Sequence, residues 1–285
     1  MLRSALSSAP AASRYSITSQ KRCLATVADN TVRLASEKQA AANSSKPPLV
    51  VLHGLFGSKQ NWRSLAKGLA HRLGRDVFTL DLRNHGHSPH KRECAYDDLA
   101  SDVKAFIQEE EKLDDCVVVG HSMGGKVAMA LALGGCDALS RLVVIDIAPA
   151  VGKISPEFQA YLDAMKEIDE AQVMSRKEAD AILQKTESDL GVRQFLLTNL
   201  DRSSPSDPYR FRLPLHYLAN AIGEIGNFPY QPGERSRSKY INSRNIPLIK
   251  QFFPNSQLET LETGHWVHAE KPKEFIESLH RFLEQ

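Results

Sequence analysis

The chain is 285 residues long and 42% hydrophobic, with 36 basic and 34 acidic residues and a formal net charge of +2. That is apolar content for one substantial core, and too little net charge for electrostatic binding of nucleic acid or anionic lipid. No window holds the roughly 18 uninterrupted apolar residues of a membrane span, and Cys23, Cys94, Cys116 and Cys136 are scattered without a Cys-x-x-Cys pair, which argues against a zinc site or a disulfide framework.

The first 22 residues carry Arg3, Arg14, Lys21, Arg22 and six serines, and no acidic residue precedes Asp29. This composition predicts a mitochondrial transit peptide, hence a matrix protein; a disordered tail is the alternative. Residues 1–28 are read as leader and flexible start, and 29–285 as one domain.

The first core strand is predicted at Pro48-Leu49-Val50-Val51-Leu52, a short β-branched run ending at His53-Gly54. Leu65, Leu69 and Leu73 then recur at helical spacing, and Val77-Phe78-Thr79-Leu80 reads as the next strand. A second amphipathic helix places Leu99, Val103, Phe106 and Ile107 on one face, followed by the apolar strand Cys116-Val117-Val118-Val119. A helix from Gly124 through Leu131 and the strand Leu142-Val143-Val144-Ile145 complete four alternations. Nearly all-apolar strands alternating with helices imply a mostly parallel sheet covered on both faces, an α/β fold.

From about 155 to 230 only helical periods are found, with Phe158, Leu162, Met165 and Ile168 on one stripe and Val192, Phe195 and Leu196 on another, which predicts a helical cap. Between Phe228 and Ile241 the chain is polar and turn-rich and gives no strand signal. A short strand at Gln257–Leu261 and an amphipathic helix from Lys271 are predicted to end the fold.

Val119-Gly120-His121-Ser122-Met123-Gly124 sets a serine between two glycines at a strand-to-helix junction, the pattern of a nucleophile elbow. A serine hydroxyl at neutral pH needs a base, and the base needs an orienting carboxylate. His265, directly after the last predicted strand and downstream of the serine, is the candidate base. Asp146, at the end of an apolar strand where an unpartnered carboxylate is costly, is the candidate acid. Asp81, at a similar strand end beside Arg83, is assigned a structural hydrogen-bonding role. The oxyanion donors are assigned to the backbone N–H groups of Met123 and Leu55, with Phe56 as the alternative to Leu55. His85 and His87 are read as part of a solvated loop, with no ligand set to complete a metal site. The chemistry requires neither cofactor nor metal.

His53-Gly54-Leu55-Phe56-Gly57-Ser58, Asp81-Leu82-Arg83-Asn84-His85-Gly86-His87-Ser88-Pro89, Gly120-His121-Ser122-Met123-Gly124-Gly125-Lys126, Gly264-His265-Trp266-Val267-His268-Ala269 and the cap segment Val192–Leu200 together resemble the mitochondrial branch of the α/β-hydrolases, which includes the animal α/β-hydrolase-domain protein eleven and the yeast ethanol acetyltransferases. The resemblance covers roughly residues 47 to 283. It implies an α/β-hydrolase fold with Ser122 as nucleophile, Asp146 as acid and His265 as base, and small acyl esters or thioesters as substrates. Hydrolysis or alcoholysis of acetyl-CoA to form ethyl acetate would both pass through an acyl-Ser122 intermediate. The chain departs from the family pattern where Arg237 runs straight into Ser238-Lys239-Tyr240-Ile241: about a dozen residues, including one late core strand, are missing. That loss raises a third expectation, a catalytically impaired form acting by partner binding.

Overall fold

The computed structural model describes residues 30–152, 154–230 and 246–285. The transit-peptide region and the stretch around Arg237, on which the missing strand was placed, lie outside the described residues. Among those described, no helix is long and apolar enough to cross a membrane.

Five strands, β1 (Ser36–Gln39), β2 (Leu49–Leu52), β3 (Val77–Leu80), β4 (Cys116–His121) and β5 (Leu139–Ile145), form one sheet in the order β1-β3-β2-β4-β5. β1 is antiparallel to β3 and the other pairs are parallel. Every residue of β2, β3 and β4 is buried, as near-continuous apolar runs must be when helices cover both faces. The period-two pleat divides the side chains between two cores. Val51, Val77, Val117 and Val119 face one layer, made by α1 (Arg63–Leu73) and α10 (Pro272–Leu283), with Trp62, Leu69, Phe275 and Leu279 between. Val50, Leu52, Phe78 and Val118 face the other, where α2 (Tyr96–Ala105) and α3 (Met123–Leu133) pack.

After β5 come α4 (Pro156–Ala171), α5 (Arg176–Leu183), α6 (Leu190–Leu197), the two-residue strands β6 (Leu200–Asp201) and β7 (Arg210–Phe211), and α7 (Leu215–Gly226). Leu162, Met165 and Ile168 of α4 are fully buried. The β6–β7 ribbon is a departure from helical periods alone; two-residue strands are too short to show a period in sequence. This segment is seated on the sheet layer by polar contacts at its carboxyl end. Lys126 Nζ of α3 donates to the carbonyls of Gly226 and Asn227 at 2.8 and 2.9 Å, and Tyr96 Oη donates to the Ile225 carbonyl at 2.7 Å.

Burial pushes the Lys126 ammonium down to about 8. A lysine in the unfolded chain titrates near 10.4, so between about pH 8 and 10 the unfolded state binds more protons and stability rises with pH. Lys126→Met is expected to lack that rise. In urea denaturation the stability of wild type relative to the variant should therefore rise from pH 7.5 to 10, by about 2 kcal/mol. An unchanged gap would show that the ammonium is not desolvated in the folded protein.

The carboxyl end of the sheet departs from expectation. Residues Gln257–Leu261, predicted as a strand, have no regular structure, and Leu258 is 53% exposed. A strand needs a hydrogen-bonding neighbour, and among the described residues none pairs with the outer edge of β5. β5 itself shows the consequence: of its seven residues only Ile145 is buried. The chain instead continues through α8 (Ile246–Phe252) and α9 (Val267–Glu270) to α10.

Candidate active site

β4 ends at His121 and α3 begins at Met123, leaving Ser122 alone on the turn with φ of 52° and ψ of −118°. A non-glycine residue there is strained, and such strain persists only where the surroundings enforce it. The enforcement is visible. Ser122 N–H donates to the Ile145 carbonyl at 3.0 Å, and its own carbonyl accepts from Gly125 and Lys126 N–H. A Cβ at Gly120 would lie 2.3 Å from the Gly124 carbonyl oxygen, and one at Gly124 would lie 2.4 Å from that of His53. The glycines are therefore steric requirements of the elbow.

Ser122 Oγ is 2.9 Å from His265 Nε2, and His265 Nδ1 is 2.5 Å from Asp146 Oδ2. Asp146 directly follows β5 and also has a positive φ of 50°. The three residues singled out in the sequence thus come together in hydrogen-bond contact, although among the described residues no strand leads directly into His265.

What holds the His265 loop is a set of rings. His121 Nε2 donates to the His265 carbonyl at 2.8 Å. His268 stacks on Trp62 with centroids 4.0 Å apart and planes 6° from parallel, and meets His121 edge to face at 4.6 Å. Burial lowers His121 well below the ordinary imidazole range and His268 to about 3, so both rings are neutral. The residue pattern around Ser122 assigns the His121 side chain no role. Its contact instead bears on the backbone of the candidate base, and nothing in a lone histidine beside the serine announces that.

The loop after β2 carries one candidate oxyanion donor, Leu55, and the start of α3 carries the other, Met123. Phe56 N–H is already bonded to His85 Nε2 at 3.2 Å, which removes Phe56 as the alternative donor. Among the described residues neither Leu55 nor Met123 N–H has a protein acceptor. His85 is fully buried, pushed down to about 3 by desolvation, and donates from Nδ1 to the Arg83 carbonyl at 2.9 Å. The expectation of a solvated loop is therefore wrong for His85. It holds for His87, whose side chain is 55% exposed. No three metal-ligating residues cluster among the described residues.

Asp81 accepts from Lys59 N–H at 2.7 Å, from His87 N–H at 2.9 Å and from the Lys59 ammonium. Burial alone would raise its carboxyl, but these donors outweigh it and hold Asp81 below the usual carboxylate range. The bonded cation is thus Lys59, while Arg83 pairs with Asp102. Gly86 closes this loop at φ of 56°, and a Cβ there would lie 2.2 Å from the Asp81 carboxyl carbon. Gly86→Ala is expected to cost about 2 kcal/mol or more; a loss within about 0.5 kcal/mol in denaturant titration would contradict the clash.

Residues 47–205 match the family model described as alpha/beta hydrolase fold. The chain is 41% identical over 251 residues to an sn-1-specific diacylglycerol lipase ABHD11 of Danio rerio, covering 83% of this chain and 78% of that one. It is 40% identical over 266 residues to a probable alcohol acetyltransferase of Saccharomyces cerevisiae, covering 84% and 78%. Among solved structures, a marine microorganism esterase superposes with a TM-score of 0.79 at 32% identity, covering 88% of this chain and all of that one. With the strand-to-helix elbow, the parallel sheet and these matches, the chain belongs to the α/β-hydrolase fold family.

Proposed function

We propose that this protein is a serine hydrolase that cleaves short- or medium-chain acyl esters or thioesters through an acyl-Ser122 intermediate. The observation that carries the proposal is the continuous hydrogen-bonded series from Ser122 Oγ through His265 to Asp146. His265 Nε2 takes the proton as Oγ attacks the acyl carbon, and Asp146 stabilises the imidazolium and fixes its tautomer. Negative charge on the former carbonyl oxygen is met by the N–H groups of Met123 and Leu55. His265 then returns the proton to the leaving alkoxide or thiolate, and activates water to release the acid. The relatives named as lipases and esterases support this reading. Incubation with p-nitrophenyl acetate should add one acetyl group to the protein mass at Ser122, and a fluorophosphonate should label wild type but not Ser122→Ala. A folded wild type that neither acetylates nor labels would end the proposal.

A second reading, acetyl-CoA:alcohol acetyl transfer, is supported by the yeast relative's name. It shares every step up to the acyl-enzyme and differs in the acceptor. Ethyl acetate formed from acetyl-CoA and ethanol faster than the same ester is hydrolysed would favour transfer; none above background would reject it. The third reading, partner binding by an impaired form, requires His265 out of reach of Ser122, and the 2.9 Å contact speaks against it. From its basic, serine-rich start we also propose a mitochondrial matrix location. Import into isolated mitochondria with loss of the leader tests it, and retention outside them refutes it.

A further inference from the structure

We propose that Asn199, in the helical segment over the sheet, is a positioning residue for the oxyanion hole, orienting the Leu55 N–H through a relay of two peptide groups. The inference rests on the hydrolase reading above. Asn199 follows α6 and is 1% exposed. Its Nδ2 donates to the Phe56 carbonyl at 2.7 Å and to the Leu196 carbonyl at 3.3 Å. The Phe56 carbonyl shares a peptide plane with the Gly57 N–H, which donates to the Gly54 carbonyl at 2.9 Å. The Gly54 carbonyl in turn shares a peptide plane with the Leu55 N–H. Peptide groups are rigid, so Asn199, the Phe56–Gly57 peptide and the Gly54–Leu55 peptide form one chain of dipoles ending at the donor. Hydrogen bonds in such a chain polarise one another in the same sense.

The relay has something to resist. Phe56 has φ of 62°, a left-handed conformation that is strained for a bulky side chain. Its N–H is held from the sheet side by His85, its carbonyl from the other side by Asn199, and its ring lies 6.0 Å from that of Phe158 in α4. Without Asn199 the Phe56 carbonyl loses its side-chain donor, and the Gly54–Leu55 peptide, whose carbonyl also accepts from His53 Nδ1 at 2.8 Å, is left with a less firmly held partner at Gly57. Because Asn199 belongs to the segment after β5, seating of that segment and donor geometry become one event. Substrate binding does not need the donor aligned; the tetrahedral intermediate does.

The test measures p-nitrophenyl butyrate hydrolysis and butylboronic acid inhibition, the boronate forming a tetrahedral adduct on Ser122 that uses the same donors. Asn199→Ala, and the isosteric Asn199→Asp in case the smaller side chain fails to fold, are expected to lower kcat about 10- to 100-fold with KM within about twofold, a part of what losing a whole donor costs. Boronate affinity should fall by the same factor as kcat/KM. Arg212→Ala is the control. It removes that segment's contacts to the Thr198 carbonyl and to His87 without touching the Phe56 carbonyl, and should leave kcat within about threefold of wild type. Asn199 variants with unchanged kcat, an effect confined to KM, or an equal kcat loss in Arg212→Ala would overturn the proposal. A wild type that hydrolyses nothing would overturn the hydrolase reading and this inference with it.

Discussion

Ser122→Ala and His265→Ala should each lower kcat for a p-nitrophenyl ester by about 10⁵- to 10⁶-fold, and Asp146→Asn by about 10⁴-fold. Tenfold in rate is 1.36 kcal/mol, so the serine and histidine losses correspond to about 7–8 kcal/mol of transition-state stabilisation. The asymmetry follows from the geometry. Without Oγ or Nε2 the 2.9 Å proton path is gone. With asparagine at 146, Nδ1 still has a partner at the same place, but one that can favour the wrong tautomer and cannot offset an imidazolium. Because the residues act as a unit, the Ser122→Ala/His265→Ala double variant should be no slower than either single one. Residual activity of about 10³- to 10⁴-fold over water is expected to remain, supplied by the Met123 and Leu55 donors and by binding. A Ser122→Ala enzyme within about tenfold of wild type would remove the serine from the mechanism, whatever its distance to His265.

The elbow was legible because its constraint is steric and local: glycines at 120 and 124 leave room that no other residue leaves. Asp146 and His265 became candidates through their places after predicted strands, together with the position of His265 downstream of the serine. The oxyanion loop was only half legible, since the choice between Leu55 and Phe56 turned on a bond that the Phe56 N–H donates to a histidine 29 residues away. The loop 81–88 misled for a related reason. His85 read as part of a solvated loop, yet it is buried together with Asp81, Arg83, Asn84 and Ser88, its ring nitrogens satisfied inside the protein. β1 was missed because Ser36-Glu37-Lys38-Gln39 carries no apolar residue; it is an edge strand recruited by pairing with β3. The converse error fell at 257–261, where local character suggested a strand but no strand among the described residues lies beyond β5 to pair with it. His265 nevertheless reaches Ser122, because rings of His121, His268 and Trp62 hold its loop where a strand would otherwise aim it.

The largest loss of stability is expected at Arg83. Its guanidinium is fully buried and donates from Nε and Nη2 to Asp102 at 2.6 and 2.8 Å, from Nη1 to the Glu93 carbonyl at 2.9 Å, and from Nη2 to the Asn30 carbonyl at 3.1 Å. One side chain thus joins the segment before β1, the loop that carries His85, and α2. Arg83→Met leaves Asp102 buried without its cation, and breaking a buried pair in this way costs about 3–5 kcal/mol, a large part of the roughly 5–15 kcal/mol that holds a domain together. Asp102→Leu should cost a similar amount by stranding the guanidinium. The double variant Arg83→Met/Asp102→Leu removes both charges, so its loss should be smaller than the sum of the two and close to that of one alone. It should not vanish, because the Glu93 and Asn30 carbonyls lose their donor and the Val32 N–H, bonded to Asp102 at 2.9 Å, loses its acceptor. Denaturant titration of the four proteins decides it. If the two losses simply add, the ion pair is not a unit, and the stability of the loop that supports Phe56 must come from its carbonyl contacts instead.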